Sequence, residues 1–181
     1  AKRPLILLSN DDGVHAPGIQ AAREALDDLG DVWTCAPDSE RSSCSHSMTL
    51  HEAIYAMNVS PRVWALSGTP GDAVFIALAD ILPRKPDLVV SGINSGPNLG
   101  KDVVYSGTVA AAREAAFRGL RTVAISLERG ADFSHAASFI AKMASQLLKK
   151  KVPYPRHDQG GFLLNVNVPE GEPRGVNWTR L

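Results

Sequence analysis

The sequence predicts an α/β fold in one domain spanning residues 1–181, built on a mostly parallel, doubly wound sheet. Three observations predict it. The chain opens with a strand–helix–strand unit, strands and helices keep alternating afterwards, and several strands are short runs apolar on both faces. Strands that read this way are covered by helices on both sides, which is the habit of parallel sheets.

Leu5 to Leu8 is a continuous apolar run bounded by Pro4, a buried central strand. Gly18 to Leu29 carries apolar residues at helical spacing (Ile19, Ala22, Ala25, Leu26 and Leu29), and Gly30 stops it. Asp31 to Ala36 is a second strand, halted by Pro37. The loose alternation over Met48 to Met57 reads as strand, and Arg62 to Leu66 as another short strand. Thr69 is placed to cap a helix running to Leu82, with Pro70 at its first position. Leu88 to Ser91 is a buried strand, Thr108 to Phe117 an alanine-rich helix stopped by Gly119, Thr122 to Ser126 a strand and Ser134 to Leu148 a helix. Leu163 to Val168 is a last strand, closed by Pro169.

Composition narrows the function classes. A chain of 181 residues that is 44% apolar can bury a full core without staples. Lys plus Arg equals Asp plus Glu at 19 each, so nothing favours a nucleic-acid polymer or a membrane surface as partner. The one basic run, Lys149 to Lys151, sits where a helix ends and reads as a solvated cap. Cys35 and Cys44 have neither metal-ligand nor redox spacing and read as free thiols. No window of ~20 apolar residues is present, and the start of the chain lacks a signal-peptide pattern, so a cytoplasmic protein is expected.

In parallel sheets ligands bind beyond the carboxyl ends of the strands. The loops expected there are Asn10 to Pro17, Pro37 to Ser47, Gly68 to Asp72, Gly92 to Gly107 and Leu127 to Phe133. The first carries Asp11 and Asp12 side by side, two carboxylates that repel each other unless a cation sits between them. Adjacent side chains on a strand diverge, so both reach one ion only if the chain turns, which Gly13 permits. The second loop offers hydroxyls, the Arg41 guanidinium and His46. The fourth is long for a compact domain and ends at a helix N-terminus, Ser106-Gly107-Thr108, where free N–H groups and the helix dipole suit a phosphate. Carboxylate, hydroxyl and amide oxygens suit one divalent ion, Mg²⁺ or Mn²⁺, better than zinc.

These motifs occur together and in order: Asn10-Asp11-Asp12-Gly13, Ala36-Pro37-Asp38 with Glu40-Arg41-Ser42, Gly68-Thr69-Pro70, Ser91-Gly92-Ile93-Asn94-Ser95-Gly96-Pro97-Asn98, Ser106-Gly107-Thr108-Val109 and Leu164-Asn165-Val166-Asn167-Val168-Pro169. The set resembles the survival protein SurE family over nearly the whole chain. The resemblance implies a Rossmann-like three-layer fold and a metal-dependent phosphatase acting on nucleoside 5′- and 3′-monophosphates, with short polyphosphate as a further substrate. It implies metal ligands Asp11, Asp12, Ser42 and Asn94, with Asn98, Ser106, Gly107 and Thr108 facing phosphate or nucleoside. It also implies a homodimer or homotetramer. Two departures stand out. Cys44-Ser45 precede His46-Ser47 where the family has a glycine, and family chains carry a C-terminal extension beyond Thr179-Arg180-Leu181 that contributes to subunit association.

The expected chemistry is attack on phosphorus by a metal-activated water, with Asp11 and Asp12 as catalytic groups and His46 as a candidate acid for the leaving group. The alternative is a general phosphatase or polyphosphatase without nucleotide preference. Three rivals fit less well. An aspartyl-phosphate phosphatase wants its two aspartates separated by one residue. A receiver-type signalling domain wants an acceptor Asp and a Lys at the ends of later strands, where Ser67-Gly68, Ser91-Gly92 and Leu127-Glu128 stand. A nicotinamide-binding module wants Gly-x-Gly-x-x-Gly after the first strand, which is absent.

Overall fold

The computed structural model describes residues 2–149 and 161–179. Seven strands form one sheet: β1 (Leu5–Ser9), β2 (Asp31–Pro37), β3 (Ala56–Ser60), β4 (Val63–Leu66), β5 (Leu88–Ser95), β6 (Arg121–Leu127) and β7 (Phe162–Val168). Their spatial order is β3-β4-β2-β1-β5-β6-β7, and every neighbouring pair is parallel except β3 with β4. β1 is buried at all five positions, as its two-sided apolar run requires at the centre of a sheet.

Among the described residues there are five α-helices, α1 (Pro17–Asp27), α2 (Pro70–Ile76), α3 (Asp102–Tyr105), α4 (Gly107–Phe117) and α5 (Ser134–Leu148), and all but the short α3 cover the faces of the sheet. α1 turns Ile19, Ala22 and Leu26 inward and packs with α5 over Ile6, Leu8, Leu88, Val90, Val123 and Ile125. α2 and α4 pack together over Leu7, Leu66 and Val89 on the opposite face. The odd and even residues of β1 and β5 thus feed two cores, and the result is a three-layer α/β domain. The chain leaves β1 toward β2 on one side, whereas β5 and β6 continue on the other. The carboxyl ends of β1 and β5 therefore flank the switch point where ligands bind in such sheets.

Three expectations are corrected. Met48 to Met57 is not a strand: pairing begins only at Ala56, and Thr49 is instead tied to Asp72. β3 is an edge strand exposed at four of its five positions, so apolar alternation was the wrong signature to seek there. The helix expected to reach Leu82 is α-helical only to Ile76, and Ala77–Ile81 is a wider π turn. The segment from Gly92 is not loop throughout, because β5 continues through Ser95, with a register shift against β6 between Ser91 and Asn94. The expected basic run begins at Lys149, the C-cap of α5; Lys150 and Lys151 lie outside the described residues. Both cysteines are free, and burial pushes the Cys35 thiol up to about 12.

Candidate active site

Beyond β1 the chain turns at once. Gly13 takes φ 102°, and the buried Asn10 side chain donates to the Gly13 carbonyl at 2.9 Å, which fixes the turn that carries Asp11 and Asp12. Backbone bonds then stitch the loops together: Arg41 N–H to Asp11 O (2.7 Å), Val14 N–H to Pro37 O (2.8 Å), and Ser45 N–H to Tyr105 O (2.9 Å). The Ser95 N–H at the end of β5 donates to Asp12 Oδ2 at 3.3 Å.

These contacts enclose an open cavity of about 720 Å³. Asp11, Asp12, Ser42, Asn94, Asn98 and Ser106 all line it, so six expected site residues from three separate loops converge. Glu40, Ser43, Ser95, Gly96, Pro97, Asp102 and Tyr105 complete the described lining. No Lys, Arg or His is among them. Gly107 and Thr108 do not line the cavity. They stand behind Asp11, where the Thr108 hydroxyl donates to Oδ1 and the Gly107 and Thr108 N–H groups face the same carboxylate. The start of α4 therefore serves Asp11 directly. A Cβ at position 107 would lie 2.7 Å from Asp11 Cβ and 3.0 Å from Cys44 Sγ, so only glycine lets the helix approach this closely. Ser106 uses its hydroxyl to accept the Val109 N–H at 3.1 Å, capping α4.

The electrostatics are those of crowded acids. Burial pushes the Asp11 carboxyl up, opposed by the Thr108 hydroxyl and the backbone N–H groups around it. Asp12 is pushed up to about 6 by burial and then by the Asp11 carboxylate, with Glu40 adding to the rise. Among the described residues, no three His, Cys, Asp or Glu side chains stand together as a metal cluster. The candidate set is instead two carboxylates with neutral oxygens, and local bonding suits the neutral members to the task. Asn94 commits its amide nitrogen to Gly96 O (2.8 Å), leaving its carbonyl oxygen as the donor to a cation. Ser42 gives its proton to Glu40 Oε1 (2.7 Å), leaving its lone pairs free. Hard oxygens of this kind fit Mg²⁺ or Mn²⁺.

Other expected residues are used structurally. Asn98 is held from β6 and β7: its side chain donates to Ser126 Oγ (2.8 Å), its N–H to Asn167 Oδ1 (2.8 Å), and its carbonyl accepts from Asn165 (2.8 Å) and Asn167 (3.1 Å). His46 does not line the cavity. Its Nε2 lies 3.1 Å from Glu114 Oε2 and its ring stacks on Phe117. Arg41 reaches Ser67 O (2.9 Å) and Asp38 rather than the cavity. Gly68-Thr69-Pro70 builds a capping box on α2, in which Asp72 accepts from Thr69 N–H (2.8 Å) while Thr69 Oγ1 accepts from Asp72 N–H (3.1 Å). Glu40, Asp102 and Tyr105 are cavity residues that sequence reasoning had not assigned. Only the position of Asp102 and Tyr105 between the Asn94 and Ser106 motifs hinted at them.

Fold and cavity together define the class: a doubly wound α/β protein with an acidic, oxygen-lined site at its switch point. The model of the survival protein SurE family matches residues 6–181. A protein named 5′-nucleotidase SurE from Anaeromyxobacter dehalogenans (strain 2CP-C) is 51% identical over 180 residues, covering 97% of this chain and 68% of its own. Its namesake from Sorangium cellulosum (strain So ce56) is 47% identical, covering 99% and 70%. The crystal structure of the SurE protein from Aquifex aeolicus superposes with a TM-score of 0.85 at 39% identity, covering 93% of this chain and 67% of that one. The chain belongs to the survival protein SurE family.

Proposed function

We propose that the chain is a 5′-nucleotidase that removes phosphate from nucleoside monophosphates, acting also on 3′-monophosphates and requiring a divalent cation. The observation that carries this reading is the paired Asp11 and Asp12 at the switch point, both raised by burial and Asp12 also by the Asp11 carboxylate, in a cavity with no basic residue among its described lining. Such a site favours a cation, and an anionic phosphate enters only once the cation is there. The names of the relatives supply the substrate class.

Asp11, Asp12, Ser42 and Asn94 are the residues that would hold the ion, which supplies Lewis-acid polarisation of the phosphoryl oxygen and a more acidic water. Thr108 and the start of α4 orient Asp11, the Thr108 hydroxyl donating to Oδ1 and the Gly107 and Thr108 N–H groups facing the carboxylate. Asp12, anchored by Ser95 N–H, is placed to take the proton of the attacking water. Asn98 presents its cavity face to the phosphate from a backbone locked onto β7.

The test is phosphate release from AMP with Mg²⁺, Mn²⁺ or EDTA, in wild type and Asp12→Asn. Cation-dependent release that the substitution abolishes supports the proposal. Equal turnover in EDTA, or full activity in Asp12→Asn, overturns it.

A further inference from the structure

The cavity is chemically uneven, and the unevenness orients a substrate. Its buried or half-buried lining residues include the Asp11–Asp12 pair, Asn94 and Asn98, whereas α3 contributes the exposed Asp102 and Tyr105. Tyr105 is the one aromatic residue among the described lining residues, and 59% of its surface is exposed, so its ring is an open apolar wall in a polar cleft. The backbone that carries the ring is held in place. The Tyr105 carbonyl accepts the Ser45 N–H at 2.9 Å, and the next residue, Ser106, caps α4. A ring carried on an anchored backbone has only its side-chain torsions to lose when another plane settles on it.

We infer that Tyr105 is the specificity residue that receives the base of the nucleoside, so that the enzyme binds nucleotides more tightly than sugar phosphates. The inference rests on the nucleotidase reading and extends it. Asp102, which lines the same cavity from α3, disfavours the anionic end of the substrate on this side, so that end turns toward the Asp11–Asp12 pair and its cation. The neutral, flat end is left facing Tyr105. Stacking on an aromatic face tolerates any base, because each has a π surface. The wall thus recognises the nucleoside class without choosing among its members.

The experiment compares AMP with ribose 5-phosphate, which lacks only the base. Binding is measured by equilibrium dialysis in Mg²⁺ with the non-hydrolysable 5′-phosphonate analogue of each ligand, and turnover separately with the phosphates themselves, for wild type, Tyr105→Ala and Tyr105→Phe. Loss of AMP affinity on the order of 10-fold in Tyr105→Ala, with ribose 5-phosphate unchanged and Tyr105→Phe near wild type, is the expected result. Equal weakening of both ligands, or no change for AMP, overturns the assignment. Turnover with no difference between ligands leaves the hydrolase standing and removes Tyr105. Base-dependent binding without turnover by any variant does the reverse.

Discussion

Two buried aspartates follow strands of the same sheet and have opposite electrostatics. Asp72, 2% exposed, begins α2 after β4; Asp11, 5% exposed, follows β1. Burial pushes both up. At Asp72 it is more than offset by Thr49 and Thr69, whose N–H groups and Thr49 hydroxyl donate at 2.6 to 3.3 Å, so the carboxyl ends below its usual range. At Asp11 the donors of Thr108 and Gly107 fall short of the burial effect, and the Asp11 carboxylate in turn raises Asp12 next door. A buried carboxylate with its lone pairs filled belongs to the architecture, here joining the 47–49 segment to a helix cap. One left under-satisfied beside a second acid is poised for a cation.

The comparison breaks most visibly at Asp12. Loss of groups that merely support a metal ligand costs ~10–100-fold in affinity or activity, so Asp12→Asn is expected to cost more than ~100-fold in kcat/KM. The same substitution should raise the melting temperature of the metal-free protein, since it removes one of two repelling charges. A calorimetric scan in EDTA that showed a lower melting temperature would contradict the crowding argument. Thr108→Val removes the hydroxyl bond to Asp11 and should reduce cation affinity or turnover by ~10–100-fold; unchanged cation titrations would show that Asp11 needs no such support.

Asp72→Ala should behave in the opposite way. It removes a capping box and a charged acceptor, a loss of ~2–3 kcal/mol in stability by urea unfolding, with kcat little altered. A large fall in kcat with stability intact would place Asp72 in the chemistry instead.

The smallest effect is in pH. Asp72 and Asp87 lie below their usual values, so their stabilisation is complete above pH ~4 and is lost as pH falls through their folded pKa values. Asp12 runs the other way. With its folded value near 6, the metal-free native state holds a proton that the unfolded chain has released, and stability falls as pH rises from ~4 to about 6. Urea titrations in EDTA across pH 3–7 should show both slopes, and Asp12→Asn should reduce only the second, to which the raised Asp11 also contributes.

Much of this was legible beforehand where local pattern and tertiary role agree. The two-sided apolar runs of β1 and of β5 as far as Ser91 are what a central parallel strand must look like, and Asp11-Asp12 before Gly13 announces a turn that concentrates charge. Legibility failed where context decides. Thr49 is drawn from any strand by Asp72, a contact 23 residues away. Gly92 and Asn94 are poor strand formers, yet β6 supplies the partner that makes Gly92 to Ser95 strand. Thr108 looked like a phosphate contact because a helix N-terminus binds any nearby anion, and here the anion is Asp11. Glu40 meets Asp102 and Tyr105 of α3 only after two distant segments close together, which no spacing along the chain encodes.

The bonds that shape the acidic pair are long in sequence. Ser95 reaches Asp12 across 83 residues and Thr108 reaches Asp11 across 97. No fragment shorter than that span can assemble the site, so an ion that prefers it discriminates between the finished domain and every partly folded form. By mass action such an ion shifts the folding equilibrium as a whole, adding RT ln(1 + [L]/Kd) to the stability of the central sheet. Availability of the cation would then govern how long the folded chain survives as well as how fast it turns over.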